Sequence, residues 1–360
     1  MGVAGPGSGK TRVLTHRIAY LIQECQIDQT SILCVTFTNK AAWEIQSRIA
    51  ELLGSGERLS WSGTFHSICA RILRKDGFYT GIPVSYVIYD QDDSLTLIKQ
   101  IIKDFGIDKK KVKARAVRAM ISSAKSELIN AEEYQGYARG YFQKIAAKIY
   151  FEYQKRLVKS RALDFDDLLF ETVKLFRKEP QVLEKYQEKF LYVLVDEYQD
   201  TNKAQYVLTK LLSGKGKNLY VVGDMSQAIY GFRGADYRNI LNFEKDYPSA
   251  KIYNLERNYR STQNILDAAK TIIKNNSSHI HLDLWTDKGA GEKIISYTSA
   301  SEYEEAQYVV EKIIEKHREG YRYDELAVLY RTNAQSRNLE EHFIKNNVPY
   351  KIVGGTRFYS

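Results

Sequence analysis

Asp196 and Glu197 follow a run of apolar and aromatic residues, Tyr192 to Val195, inside the stretch FLYVLVDEYQDTN. Such a run reads as a buried strand of a parallel sheet, delivering two carboxylates at the strand end where open α/β sheets bind their ligands. An Asp-Glu pair there can divide the work of phosphoryl transfer to water. The Asp can hold a magnesium ion while the Glu accepts a proton from the attacking water. Adjacent Asp and Glu are also common on surfaces, so the pair acquires this meaning only beside a phosphate site.

The N-terminus supplies one. AGPGSGKT runs from Ala4 to Thr11, with Gly5, Pro6, Gly7, Ser8 and Gly9 ahead of Lys10 and Thr11. A glycine-rich turn that opens a helix aims backbone N–H groups at phosphate oxygens, while Lys10 reaches the β and γ phosphates and Thr11 binds magnesium. Ala4 stands at the first position of the usual GxxxxGK[ST] pattern, a small-for-small change that keeps the cradle. Only Met1, Gly2 and Val3 precede the loop, so the strand leading into it is expected to be nearly absent.

Other strand exits carry polar and aromatic groups. SILCVTF, Ser31 to Phe37, passes into a helical apolar stripe through Ala42, Ile45, Ile49, Leu52 and Leu53; Thr38 or Asn39 can cap that helix, and Phe37 and Thr38 can face a nucleic acid. Gly63-Thr64-Phe65-His66 begins another helix, where His66 is equally well a packing or capping residue. NLYVVG leads to DMSQAIYGFRGAD, in which Gln227 can sense a γ phosphate or orient water, Tyr230 and Phe232 can stack on bases, and Arg233 offers charge. A turn held by Asp224 and packed by the aromatics is the alternative. In KIYNLERNYRST, Arg257 and Arg260 can stabilise phosphate charge or pair with carboxylates, and Tyr259 can stack on adenine.

These exits must be carried by a sheet, and a chain of 360 residues is long enough for two or three domains. Residues 91–175 read as helices inserted into the sheet domain, one of them with an i,i+4 rhythm through Ile145, Ile149, Tyr153 and Leu157. Within them DKKKVKARAVR holds six basic residues and one acidic, which suits a phosphate backbone or a solvated helix end equally. In LDFDDLLF the acidic residues can cap a helix while Leu163, Phe165, Leu168 and Leu169 pack. From residue 262 a second α/β unit is expected, with strands at Lys293 to Ser299 and Glu325 to Arg331, a helix over SEYEEAQYVVEKIIEKHREG and another near Ser336 to Lys345.

Three cysteines without metal-ligand spacing argue against a disulfide scaffold or a zinc site. No apolar run is long enough to span a membrane and the first residues are not a signal peptide, so a cytoplasmic location is expected. The net charge of +9 suits a polyanionic partner but also simple solubility, and most of the 27 tyrosines are expected in packing.

Taken in order, AGPGSGKT, VTFTNKAAWEIQSRI, GTFHSICARIL, LDFDDLLF, LVDEYQDTN, VVGDMSQAIYGFRGAD, NLERNYRST and LAVLYRTNAQSRNLEEHF resemble the motif series of the UvrD/Rep/PcrA-like superfamily 1 DNA helicases. The resemblance covers nearly the whole chain. It implies an α/β fold: a RecA-like P-loop NTPase domain (1–90 and 176–261) with a helical insertion (91–175), facing an incomplete second RecA-like domain (262–360). It also implies ATP and Mg2+ as cofactors, and 3′-to-5′ movement along single-stranded or partly duplex DNA, with repair or replication proteins as partners. Lys10 and Thr11 would handle phosphate and magnesium, Asp196 would coordinate the metal, Glu197 would activate water, and Gln227 and Arg260 would contact the γ-phosphate region. Arg12 and Tyr259 would lie near the base. Phe37, Thr64, His66, Tyr230, Phe232 and Arg233 would lie near the DNA path, Phe232 standing where many relatives have tryptophan. The family's upstream glutamine motif and its later arginine-containing motifs are not in this sequence. The expectation is therefore a helicase truncated at both ends that unwinds poorly by itself; a non-catalytic DNA- or partner-binding remnant is the alternative.

Overall fold

The computed structural model describes residues 1–54, 58–214, 218–276 and 280–353, apart from the side chain of Arg233. Its contacts divide the chain into two compact units, Met1–Glu292 and Lys293–Ser360.

The first unit is built on a parallel sheet. Its strands are β1 (Gly2–Ala4), β2 (Ile32–Thr36), β3 (Ser62–Thr64), β6 (Tyr192–Val195), β7 (Asn218–Gly223) and β8 (Tyr253–Leu255), in the order β3-β2-β6-β7-β1-β8. Two further strands, β4 (Val87–Tyr89) and β5 (Ala162–Asp164), form a separate parallel pair. Every pairing in the larger sheet is parallel, so all six strand exits open on the same edge. That single fact gathers the candidate residues.

Alternation along the strands sends side chains to two cores. Ile32, Cys34, Leu194 and Val222 pack with Leu14, Ile18, Ile45 and Ile49 from helices α1 (Lys10–Gln23) and α2 (Asn39–Leu53). Leu33, Val35, Val193, Val195 and Val221 point the other way, against Ile68 and Leu73 of α3 (Phe65–Asp76), and against Phe176 and Leu208 further along the chain. Each such fully buried aliphatic side chain contributes about 1.5–3 kcal/mol.

The expectation of a nearly absent strand before the glycine loop needs correction. β1 is short, but it is interior: Gly2 and Val3 pair with Val222 and Gly223 on one side and with Tyr253 and Asn254 on the other. Val3 and Ala4 are buried, so two flanking ladders hold what length does not.

Helices dominate residues 91–159, but the helical stretch expected over 91–175 is broken at Ala162–Asp164 by β5, which pairs with β4; Ile149, Tyr153 and Leu157 sit in a core of their own with Ile98, Ile101 and Ile121. In DKKKVKARAVR, Val112 and Val117 turn inward while Lys109, Lys110, Lys111, Lys113 and Arg115 are exposed. Asp164 and Asp167 close a reciprocal capping box on the helix Phe165–Lys178, and Leu168 and Leu169 are buried. Phe165 was expected to pack with them and does not; it is half exposed, its ring edge-on to His66.

In the second unit the helices Glu302–Arg318 and Ser336–Lys345 pack through Val310, Ile313 and Phe343. The two strands expected there do not form among the described residues. Neither segment has a paired neighbour, and Ile295 and Leu329 are 74% and 94% exposed. A strand needs a ladder partner, and alternating apolar residues alone do not supply one.

Candidate functional site

The glycine loop leaves β1 and closes on itself before α1 begins. The Ser8 hydroxyl donates to the Gly5 carbonyl at 2.8 Å, and Gly7 and Gly9 adopt φ of +72° and +90°. At Gly7 a Cβ would lie 2.8 Å from Arg260 Cβ and 2.9 Å from Asn258 Nδ2, so this position needs glycine for both conformation and space. Lys10 is the first residue of α1 and is buried; Thr11 follows, half buried, so both stand at the positive end of the helix dipole.

The exits of β6, β7 and β1 are neighbours in the sheet, and their charges meet. Lys10 Nζ lies 3.1 Å from Glu197 Oε2 and 3.8 Å from Asp224 Oδ2, yet among the described residues it donates no hydrogen bond. The Asp196 N–H donates to the Val35 carbonyl, extending the β2–β6 ladder by one residue and fixing that carboxyl at the sheet edge. Among the described residues Asp196 Oδ1 and Asp200 Oδ1 are buried without hydrogen-bond partners. Burial first, and Glu197 second, push the Asp196 carboxyl up to about 7; the same two causes push Asp200 up to about 6. Glu197 itself takes up φ 48° and ψ 46°, a left-handed conformation uncommon for a residue with a side chain.

A surplus of buried carboxylates around one ammonium is a site short of positive charge. Asp196, with a buried oxygen that has no partner among the described residues, and Thr11, in the first turn of α1, are the groups that could hold a magnesium ion beside bound phosphates. Among the described residues no group of three or more His, Cys, Asp or Glu side chains forms a metal cage of its own.

Gln227 donates to Asp224 Oδ2 at 2.6 Å, beside the Lys10 contact. Arg260 and Tyr259 are exposed on the loop after β8, which is tied directly to the glycine loop: the Tyr259 N–H donates to the Gly7 carbonyl at 3.0 Å. The Arg12 guanidinium stands 5.9 Å from the Tyr259 ring centre, and Arg257 approaches the same ring at 5.0 Å and the Trp285 ring at 5.5 Å. The result is a cation-rich aromatic platform at the mouth of the loop.

The nucleic-acid candidates are more dispersed. Phe37 and Phe65 meet edge-on at 5.7 Å, the Thr64 hydroxyl accepts from the Ser67 N–H as a helix cap, and burial holds the His66 imidazole below its usual pKa. Tyr230 and Phe232 are 6.2 Å apart, and Phe232 is 81% exposed. The side chain of Arg233 lies outside the described residues.

Two buried amides were not assigned roles from the sequence. Asn258 donates through Nδ2 to the Pro6 carbonyl and accepts through Oδ1 from the N–H groups of Arg260 and Ser261. Gln199 donates to Glu197 and Asp200 and accepts from the Asp224 N–H. Both lie inside motifs already noticed, NLERNYRST and DEYQD. Sequence shows the amide but not its burial.

A parallel sheet with a glycine loop and an acidic neighbouring strand exit defines a P-loop NTPase fold with surrounding helices. The profile of the UvrD/REP helicase N-terminal domain matches residues 3–248, and that of the UvrD-like helicase C-terminal domain matches residues 253–360. The chain belongs to the UvrD/REP helicase family. It is 52% identical over 357 residues to the ATP-dependent DNA helicase PcrA of Staphylococcus epidermidis, across 99% of this chain and 49% of that protein. To the PcrA of Staphylococcus aureus it is 51% identical over the same shares. It thus spans about half the length of the curated relatives it matches. No helix among the described residues is long and apolar enough to cross a membrane.

Proposed function

We propose that this chain carries the catalytic carboxylates and phosphate loop of an ATP-dependent 3′-to-5′ DNA helicase, in which ATP hydrolysis drives movement along single-stranded DNA. The observation that supports this most is the placement of Lys10 against Glu197 and Asp224, with Asp196 Oδ1 free beside them. Gly5, Pro6, Gly7, Ser8 and Gly9, following Ala4, wrap the phosphates, and Lys10 meets their charge. Thr11 and Asp196 hold magnesium, which when bound adds positive charge against the phosphate oxygens. Glu197 takes the proton of the attacking water, Gln227 orients that water, and Arg260 stabilises charge developing on the γ-phosphate. Arg12 and Tyr259 hold the base.

Phe37, Thr64, His66, Tyr230, Phe232 and Arg233 lie along or beside the DNA path and couple it to the ATP site. Residues 1–90 and 176–261 act as the first RecA-like domain, 91–175 as its helical insertion and 262–360 as part of a second. In the complete enzyme the substrate is single-stranded or partly duplex DNA, with repair or replication proteins as partners.

The test is phosphate release from ATP by the purified chain with magnesium. The expected result is release that rises with single-stranded DNA and disappears in Lys10→Ala and Glu197→Gln. Absence of release with or without DNA overturns the enzyme reading for this chain. Salt-sensitive DNA binding without turnover would then mark a non-catalytic binding role.

A further inference from the structure

One carboxamide joins the two halves of the proposed catalytic site. Gln199 is 1% exposed and lies on the short helical turn Tyr198–Asp200. Its Nε2 donates to Glu197 Oε2 at 2.9 Å and to Asp200 Oδ2 at 3.2 Å, and its Oε1 accepts from the Asp224 N–H at 2.9 Å. The amide can face only one way. Reversed, its oxygen would confront two carboxylates and its NH2 would confront a backbone donor.

The neighbouring strand is shaped to receive it. A Cβ at Gly223 would sit 2.7 Å from Ile240 Cδ1, 3.0 Å from Gln199 Oε1 and 3.4 Å from Gln199 N, so the last residue of β7 leaves room for both the isoleucine and the glutamine by having no side chain. Beyond the amide the chain of contacts continues, because Asp224 Oδ2 accepts from Gln227 Nε2 at 2.6 Å. Glu197, which is strained in the left-handed region, and Gln227, on a different strand exit, are therefore referenced to the same group.

We infer that Gln199 is a positioning residue that holds the Glu197 carboxylate against the Asp224 turn, so that the water-activating carboxylate and Gln227 keep a fixed separation. The inference rests on the ATPase reading above. A carboxylate left to rotate would still permit nucleotide binding but would seldom meet the attacking water. Loss of Gln199 should thus lower kcat and leave the KM for ATP alone.

The test has two arms. In the first, phosphate release is measured for the unsubstituted chain and for Gln199→Met, which keeps the shape and removes the polar atoms. The expected result is a kcat lower by about tenfold to a hundredfold, within what a positioned general base supplies, with KM within about twofold. In the second, the chain is labelled with 15N-glutamine. The Gln199 side-chain amide signal, identified by its loss in Gln199→Met, should move in Glu197→Gln. A stationary signal, or a kcat unchanged in Gln199→Met, overturns the inference. No turnover by the unsubstituted chain together with a moving signal overturns the ATPase reading and supports the positioning contact. If Gln199→Met does not fold, Gln199→Glu, isosteric but repelling both carboxylates, takes its place in both arms with the same expected kcat loss.

Discussion

The Lys10 ammonium lies 3.1 Å from the Glu197 carboxylate, although one residue opens the helix after β1 and the other leaves β6. β7 runs between those strands, and its exit residue Asp224 stands 3.8 Å from the same ammonium. Parallel pairing alone produces this meeting, because three adjacent strands end at one edge. Lys10→Ala removes the positive charge at that junction. Turnover is expected to fall by at least about a hundredfold, with weaker binding of a fluorescent ATP analogue. Retention of both would show that phosphate is held elsewhere.

Glycine substitutions separate backbone strain from a spatial demand. Gly7 and Gly54 share positive φ, at +72° and +67°, but a Cβ at Gly54 meets nothing within 4 Å among the described residues, whereas one at Gly7 collides with Asn258 and Arg260. Gly54→Ala should cost about 1 kcal/mol of stability and leave nucleotide binding intact. Gly7→Ala should lose nucleotide binding as well. Urea unfolding beside a nucleotide titration checks both; equal binding by the two variants would remove the spatial argument.

Asn258 clamps the glycine loop to the segment bearing Tyr259 and Arg260. In Asn258→Ala the Pro6 carbonyl and two backbone N–H groups lose a partner. The expected cost is about 1–3 kcal/mol of stability, with nucleotide affinity falling as the loop loosens. Calorimetric binding and chemical denaturation provide the comparison, and unchanged affinity would mean the loop is held without the clamp.

A buried ion cluster at the base of the helical region sets a pH dependence. Lys125 Nζ lies 2.7 Å from both Asp164 and Asp167, and burial first, with Asp164 second, pushes Asp167 up to about 7. That folded value is above the unfolded one, so between about pH 4 and about pH 7 the folded chain binds more protons at this carboxyl. Its contribution is fully present below the unfolded pKa and is lost as pH rises through the folded one. Asp167→Asn should therefore flatten the fall in stability across that window. Urea midpoints taken through it would contradict the assignment if the two proteins had equal slopes.

Much of the site is legible in the chain because it is local. The order of types in AGPGSGKT and LVDEYQDTN is itself the chemistry, and the apolar runs before Asp196 and Asp224 are strands because both faces of the sheet are covered. What escapes a sequence reading depends on distant partners. β1 is a strand only because β7 and β8 flank it, and Lys293 to Ser299 is not one because no neighbour pairs with it among the described residues. Asn258 and Gln199 look like ordinary polar residues until burial leaves each amide with a fixed set of partners. Phe165, apolar in a packing motif, turns outward toward His66 for a reason that periodicity does not contain.

Whether the phosphate loop and the Asp196-Glu197 strand exit form one working ATP site is tested most directly by comparing binding and turnover in Glu197→Gln. Magnesium-dependent binding of ATP should persist within about threefold, while DNA-stimulated phosphate release falls by at least about a hundredfold, the signature of a lost general base. Release by Glu197→Gln at the rate of the unsubstituted chain would contradict the account.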